Sequence, residues 1–506
     1  MTNTKIYGFN FTIRGVLIIA FLLRCLFTIV VFAINHTSGA YTLDTESYLI
    51  TARKLIESGQ FANSVQPEIF RTPGYPLLLI PGILLGQQEL VAIFIQIILS
   101  CFTIFLIYKI ALAIWGESKI ATFCALLYAV EPVSILWLTL LMPETLFTAL
   151  ITLFMYLLIK YFTERSWKNL LCAAITLAAS IYVRPIGYYL PFLISAILLI
   201  DIAVANALWS LSPSTTLRIN CVEMSTSTTL SDPKEPNHLG GCYSLTKIQK
   251  NKILMIHACV FFIVAMGSVG IWQVRNYVKT GYSGFAAVSD YNLYCYNGAS
   301  VIAKQKNITF EEMAEQLGCD NPARYLKFHP EQQEWSQSRI YRYMGKEGKK
   351  MIMSHTWDAS IVHLEGTLRT LVETPAKLYL KRFTKQRNPA LSPSSKIPKV
   401  LTGQTSWKAI FSDFHLSSLV FFADLSLLLI SGAYFLGVTA ALLSSNFLKN
   451  RAMIMLVSIA AYFLAVSGGV AGGYRFRLAI MPIICLLGGY GLWLIVDKIK
   501  PKNIQE

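Results

Sequence analysis

Charge is scarce in this chain of 506 residues. Only 14% of them are Asp, Glu, Lys or Arg, where soluble domains carry about 25%. That shortage excludes an ordinary water-soluble globular protein. The chain also lacks a Gly-rich phosphate loop, an HExxH pair and a nucleophile elbow, which excludes the common soluble phosphoryl-transfer, zinc-peptidase and hydrolase sites. Sugar-nucleotide machinery is absent as well. Ten Cys are present, mostly inside apolar runs and without metal-ligand spacing, although Cys295 and Cys319 share a long polar segment and can pair in an oxidising compartment. No clear small-x-small cleavage site follows the first apolar run, so that run reads as a retained span rather than a signal peptide. Acids are few, 28 against 44 Lys and Arg, for a net charge of +16.

What the chain has instead is apolar length. Hydrophobic residues make up 54% and the mean hydropathy is +0.50. Runs of roughly 18 residues or more recur, each long enough to cross about 30 Å of hydrocarbon. The expectation is an all-α integral membrane protein with about ten spans. They fall near Val16–Ile34, Glu89–Trp115, Ile120–Leu141, Pro143–Phe162, a pair ending near Val183 and Ile200, Ile253–Trp272, Leu416–Leu443, Met453–Gly468 and Leu478–Val496. Lys119, Lys160, Arg165, Lys168, Lys247, Lys250, Lys252, Lys449, Arg451 and Lys498 fall on one side of these spans, with Lys5 and Arg14. By the positive-inside rule that side, with both termini, is cytoplasmic. Residues 35–88 and 273–415 then face outward. The organisation reads as 1–272, an N-terminal membrane bundle with outer loop 35–88 and a cytoplasmic insertion at 201–252; 273–415, an outer helical cap; and 416–506, three further spans. The positive charge is explained by topology, and nucleic acid is not an expected partner.

Five arginines break the topology pattern. Arg71, Arg184, Arg275, Arg475 and Arg477 all lie within a few residues of an expected outer boundary. Snorkelling to lipid phosphates accounts for any one of them; a set of five points to an anion site, because guanidinium groups hold phosphate bidentately. Carboxylates sit at the same level. Asp44 and Glu46 follow the first span, and Glu144 opens the fourth, where it also suits the helix dipole. Asp44 is placed to N-cap the helix expected from Thr45. Glu131 lies within the expected third span, at a depth where a carboxylate is costly. A carboxylate base and fixed guanidinium groups are what transfer of a sugar from a lipid phosphate demands. One takes the acceptor's proton and the others stabilise the departing phosphate.

Four stretches resemble the C-fold membrane glycosyltransferases, in particular the branch of protein O-mannosyltransferases and lipid A aminoarabinose transferases. They are Asp44-Thr-Glu-Ser-Tyr48 running on to Gly59; Arg71-Thr-Pro-Gly-Tyr-Pro76; Met142-Pro-Glu144 with Val183-Arg-Pro185; and Trp272-Gln-Val-Arg-Asn-Tyr277 with Asn292-Leu-Tyr294 and Tyr474-Arg-Phe-Arg477. The resemblance implies Asp44 as the catalytic carboxylate and Glu144 as a second acid of the site. It implies Arg71, with Arg184, Arg275, Arg475 and Arg477, at the carrier phosphate, and Glu46, Tyr48 and Tyr75 as further substrate contacts. Phe70 stands where the aminoarabinose enzymes carry a carboxylate, and Thr45 where the protein mannosyltransferases carry an acid. No cofactor is fixed by these residues, and a divalent metal stays open. The expected partners are a polyprenyl-phosphate sugar, membrane lipids and a lipid, glycan or protein acceptor, at a bacterial inner membrane with the site on the outer face. The competing readings are a transporter or flippase of a lipid-linked sugar and a polysaccharide polymerase or ligase.

Overall fold

A computed structural model describes residues 5–6, 9–10, 12–211, 247–383, 416–470 and 472–499. A short antiparallel pairing of Lys5–Ile6 with Phe9–Asn10 precedes the helices. The first half of the chain forms α1 (Ile13–Asn35), α2 (Thr45–Ser58), α3 (Gly74–Leu84), α4 (Gln88–Trp115), α5 (Ser118–Ala129), α6 (Pro132–Trp137), α7 (Glu144–Glu164), α8 (Trp167–Val183), α9 (Leu190–Leu211) and α10 (Lys247–Thr280). A polar segment follows, with α11 (Val288–Asn292), a π-helical turn at Leu293–Gly298, α12 (Ala299–Lys306), α13 (Phe310–Gln316), α14 (Pro322–Phe328), α15 (Gln337–Ser354), α16 (Thr356–Val372) and α17 (Ala376–Phe383). The chain closes with α18 (Leu416–Leu442), α19 (Arg451–Ser467), α20 (Tyr474–Arg477) and α21 (Met481–Ile499).

Six of the described helices are long and apolar enough to cross a membrane, and the protein is an integral membrane protein. They are Ile13–Asn35, Gln88–Trp115, Glu144–Glu164, Asn251–Thr280, Phe422–Leu442 and Met481–Lys498. Five shorter apolar helices accompany them. The expected third span is not one helix. It breaks after Ala129, because Pro132 cannot continue the hydrogen-bond ladder. Glu131 takes the N-cap there, accepting from the Val133 and Ser134 backbone N–H groups. The acid in the apolar run is thus a helix start. The broken end leaves carbonyls of α5 without helical partners. Arg24 of α1, fully buried, donates to Ala129 O at 2.9 Å and Tyr128 O at 3.4 Å, and through Nε to Ser100 Oγ of α4 at 2.8 Å. A single guanidinium therefore ties α1, α4 and α5 together and neutralises the carbonyl end of α5. Of the expected 201–252 insertion, residues 201–211 continue α9 and residues 247–252 open α10; residues 212–246 lie outside the described residues. Likewise α10 passes its expected end at Trp272 and carries Arg275 beyond it.

Lipid offers apolar helices little hydrophobic reward for association, so close backbone approach matters. Between α18 and α21 it rests on glycine. A Cβ on Gly491 would lie 1.8 Å from Gly437 O, and one on Gly437 2.2 Å from Gly488 O. One contiguous core runs from Val16 of α1 to Tyr490 of α21. Above it the two polar segments pack on each other, Ala287 N–H donating to Ile69 O at 2.8 Å and Gln66 meeting Gln337.

Candidate active site

Five charged side chains from five separate parts of the chain converge at one end of the bundle. Asp44 ends the connection between α1 and α2 and occupies the N-cap position of α2, but makes no capping hydrogen bond. Its carboxylate turns instead to two arginines, Arg71 Nη2 at 2.7 Å and Arg475 Nη1 at 3.3 Å. Glu144, first residue of α7, has a fully buried carboxylate that meets Arg475 Nε at 2.5 Å and Arg184 Nη1 at 3.3 Å. Glu144 Oε2 is buried and has no hydrogen-bond partner among the described residues. Arg475 thus bridges the two acids. Three guanidinium groups against two carboxylates leave the cluster with one net positive charge.

Each arginine is held in place by neutral neighbours as well. Arg71 Nε donates to Ser47 Oγ at 2.9 Å and Nη1 to the Tyr48 hydroxyl at 3.2 Å. Its guanidinium lies between the rings of Tyr48 and Phe70, at 4.7 and 5.1 Å from their centroids. Arg184 sits between Phe147 and Phe476. Arg184 is set by a chain break: α8 ends at Val183, the residue before Arg184-Pro185, where Pro forces extended backbone and Arg184 adopts it. Arg475 is set by glycine. The backbone at Gly468–Val470, after α19, passes under α16 so closely that a Cβ on Gly366 would sit 1.9 Å from Gly469 O, and Gly472 and Gly473 lead into α20. Burial pulls the Asp44 carboxyl upward, but Arg71 and Arg475 outweigh it and hold the group below the ordinary carboxylate range. Burial pulls Arg475 downward, and Glu144 and Asp44 override that and raise it.

The expected residues divide. Asp44, Tyr48, Arg71, Glu144, Arg184 and Arg475 come together. Arg275, Arg477, Glu46 and Tyr75 do not touch the cluster. Arg275 donates to Glu68 O at 2.5 Å and to Phe61 O, with its plane 4.7 Å from the Trp272 ring, so its donors brace loop 61–68. Arg477 donates to Leu371 O at 2.6 Å and lies near Glu131 and Glu373. Two residues apart on a helix means roughly 200° of rotation, which is why Arg475 and Arg477 part. The same rotation takes Glu46 away from Asp44, to Arg53 at 3.3 Å. Tyr75 is fully buried, donates to Gln96 Oε1 at 3.0 Å and supports Tyr48 from behind at 5.2 Å between ring centroids. Ser47 and Phe476 lie inside the family-like stretches 44–48 and 474–477 without having been singled out, and Phe147 and Tyr296 are site neighbours that no sequence pattern marked; Cys295, beside Tyr296, is bonded to Cys319. The described residues gather no group of three or more His, Cys, Asp and Glu able to hold a metal, and both acids of the cluster are engaged by guanidinium groups.

No curated relative matches the chain. Among solved structures it is similar to the oligosaccharyltransferase of Archaeoglobus fulgidus. With an inhibitory peptide and a dolichol-phosphate bound, that structure is 13% identical at a TM-score of 0.46, over 96% of this chain and 50% of that one. The apo form of the Archaeoglobus fulgidus enzyme gives 12% identity, 96% and 51% coverage and the same TM-score of 0.46. The chain spans about half the length of these proteins. Residues 71–218, which include Arg71, Glu144 and Arg184, match the family described as dolichyl-phosphate-mannose-protein mannosyltransferase. Over those residues the chain resembles that family of C-fold membrane glycosyltransferases.

Proposed function

We propose that the protein transfers a glycosyl group from a polyprenyl-phosphate carrier to an acceptor hydroxyl, at the end of the bundle where Asp44, Arg71, Glu144, Arg184 and Arg475 meet. The carrying observation is the composition of that cluster: three arginines against two acids, one of which, Asp44, is a third exposed while Glu144 is sealed. One net positive charge suits a phosphodiester, which carries one negative charge. The partly open acid suits contact with a substrate.

In this reading the donor phosphate takes hydrogen bonds from Arg71 and Arg475 in competition with Asp44. That competition loosens the grip on the carboxylate and raises its basicity only when donor is present. The acceptor oxygen attacks C1 and its proton passes to Asp44. The C1–O bond breaks and its electron pair leaves on the carrier phosphate, whose growing charge the fixed guanidinium groups stabilise. Glu144 touches neither reactant; it holds Arg475 and Arg184 in register. The outer-face orientation expected from the charge pattern puts the site on the side opposite the termini.

The test is incubation of the purified protein in lipid with a panel of polyprenyl-phosphate sugars and candidate acceptors, following release of carrier phosphate. Release by wild type and not by Asp44→Asn supports the reading. Tight binding of carrier with no release from any pair would count against an enzyme and for a transporter.

A further inference from the structure

Resting on that reading, we propose that Phe70, Tyr291 and Tyr296 form an aromatic wall that receives the pyranose ring of the donor, with the Tyr296 hydroxyl as a positioning group for the sugar.

The wall begins at the phosphate site. Phe70 lies against the Arg71 guanidinium. Tyr291 follows at 5.6 Å between centroids, Tyr296 at 6.1 Å from Tyr291, and Phe310 stacks on Tyr296 at 5.8 Å. A sugar joined to a phosphate held at Arg71 has its ring one bond further out, which is where this series runs. Aromatic faces carry partial negative charge, complementary to the C–H face of a pyranose. Tyr296 lies near enough to the cluster that, after burial, the charges of Asp44, Arg475 and Arg71 act on its phenol.

Tyr296 differs from its neighbours in a way that core packing does not explain. Tyr294, two residues earlier, is buried against Tyr325. Tyr291 donates its hydroxyl to Cys319 O at 2.8 Å. Tyr296 is only half-buried, and its hydroxyl makes no hydrogen bond among the described residues.

The backbone that carries Tyr296 is held on every side. It is the π-helical turn Leu293–Gly298; the wider turn re-aims side chains and is common at functional sites. The Cys295–Cys319 disulfide pins its middle. Glycines on α15 let that helix close on it: a Cβ on Gly348 would lie 2.4 Å from the Leu293 carbonyl carbon, and one on Gly345 2.2 Å from Asp290 Oδ1. On the other side Asn297 rests over Gly469, in the loop that leads to Arg475. A rigid, unpartnered phenol beside a charged cluster is a preorganised contact for a polar ligand.

The test compares binding of bare polyprenyl phosphate with that of polyprenyl-phosphate mannose, glucose and N-acetylglucosamine. It uses the full chain in lipid nanodiscs as wild type, Tyr296→Phe and Tyr296→Leu, with thermal unfolding as a check on the fold. Wild type is expected to prefer at least one sugar-bearing carrier over the bare one. Tyr296→Phe should reduce that preference by roughly two- to tenfold, the worth of one hydrogen bond. Tyr296→Leu should abolish it, with bare-carrier affinity unchanged in both variants. An unchanged preference in either variant, or a wild type that binds every sugar-bearing carrier no better than the bare one, overturns the wall while leaving the carrier site standing. A wild type that binds no carrier overturns the functional reading itself.

Discussion

Asp44→Asn isolates the base from the rest of the cluster. The change keeps shape and one hydrogen-bond acceptor, and removes a charge lying 2.7 Å from Arg71 and 3.3 Å from Arg475. Neither arginine is left alone. Arg71 keeps Ser47 and Tyr48, and Arg475 keeps Glu144. Asp44 is also a third exposed, so solvent screens what is lost. The stability cost should therefore be small, roughly 1 kcal/mol. The catalytic cost should be large, because a general base contributes roughly 10²- to 10⁴-fold. Carrier binding should move the opposite way. The cluster goes from one to two net positive charges, so bare polyprenyl phosphate should bind roughly two- to fivefold tighter. Single-turnover release of carrier phosphate, carrier binding and thermal unfolding in lipid read the three quantities separately. If Asp44→Asn keeps more than a tenth of the wild-type rate, Asp44 is not the base. If it loses carrier affinity instead, the acid belongs to donor binding and the proposed competition for the arginines is wrong.

Glu144→Gln should behave differently: it leaves Arg184 and Arg475 buried with less counter-charge, and should cost roughly 3–5 kcal/mol, visible as a lower unfolding temperature and poorer recovery from membranes than Asp44→Asn. The pH profiles carry a third expectation. Asp44 is held below the ordinary range in the free protein, so kcat/KM should show no acid limb from it above about pH 4, whereas the limb of kcat, which reports the donor complex, should lie higher. Coincident limbs would contradict the competition. Glu373 carries a fourth. Burial raises its carboxyl from 4.5 to about 7, opposed by Arg369, the Tyr474 backbone and Arg477 and aided by Asp424. A group raised on folding stabilises below its unfolded pKa and loses that contribution as pH rises through the folded one, so wild type should lose about 3 kcal/mol between pH 4.5 and 8. Glu373→Gln should flatten that part of a stability-against-pH curve measured by thermal unfolding; an unchanged slope would sink the assignment.

Much of the fold was legible because its cause is local. Apolar length marks spans, and Pro with Gly marks their ends. What was not legible depended on partners far away in sequence. Arg24 lies in an apolar run, and nothing around it shows that the carbonyls it satisfies belong to Tyr128 and Ala129. Nor does Glu131 show that it begins a new helix; its neighbour Pro132 carries that signal, and a continuous apolar run from Ile120 to Leu141 outweighed it. Hydropathy averages over such breaks, so a span of two short helices and a single long one look alike to it.

The site shows the same limit more sharply. Five outer arginines share the boundary position that points to an anion site, and three converge. What separates Arg475 from Arg477 is roughly 200° of rotation within a single helical turn, which spacing can predict once that helix is known to exist. What separates Arg71 from Arg275 is the path of loop 61–68, whose Phe61 and Glu68 carbonyls consume the Arg275 donors; no spacing foretells that. Tyr296 illustrates the remaining case. Its own ring neighbours are Tyr291 and Phe310, the link to Phe70 runs through Tyr291, 221 positions from it in sequence, and its orientation depends on a π-turn that an α-helical periodicity would misplace by one residue. A residue of that kind is visible only where chain path, ring contacts and an unused hydroxyl coincide. With the sugar ring against this wall, positions 291 and 296 govern which sugar is accepted, while Asp44 and the three arginines govern whether any sugar is transferred. Tyr296→Leu should lower kcat/KM unequally across donors, and Arg71→Ala should lower it by one common factor.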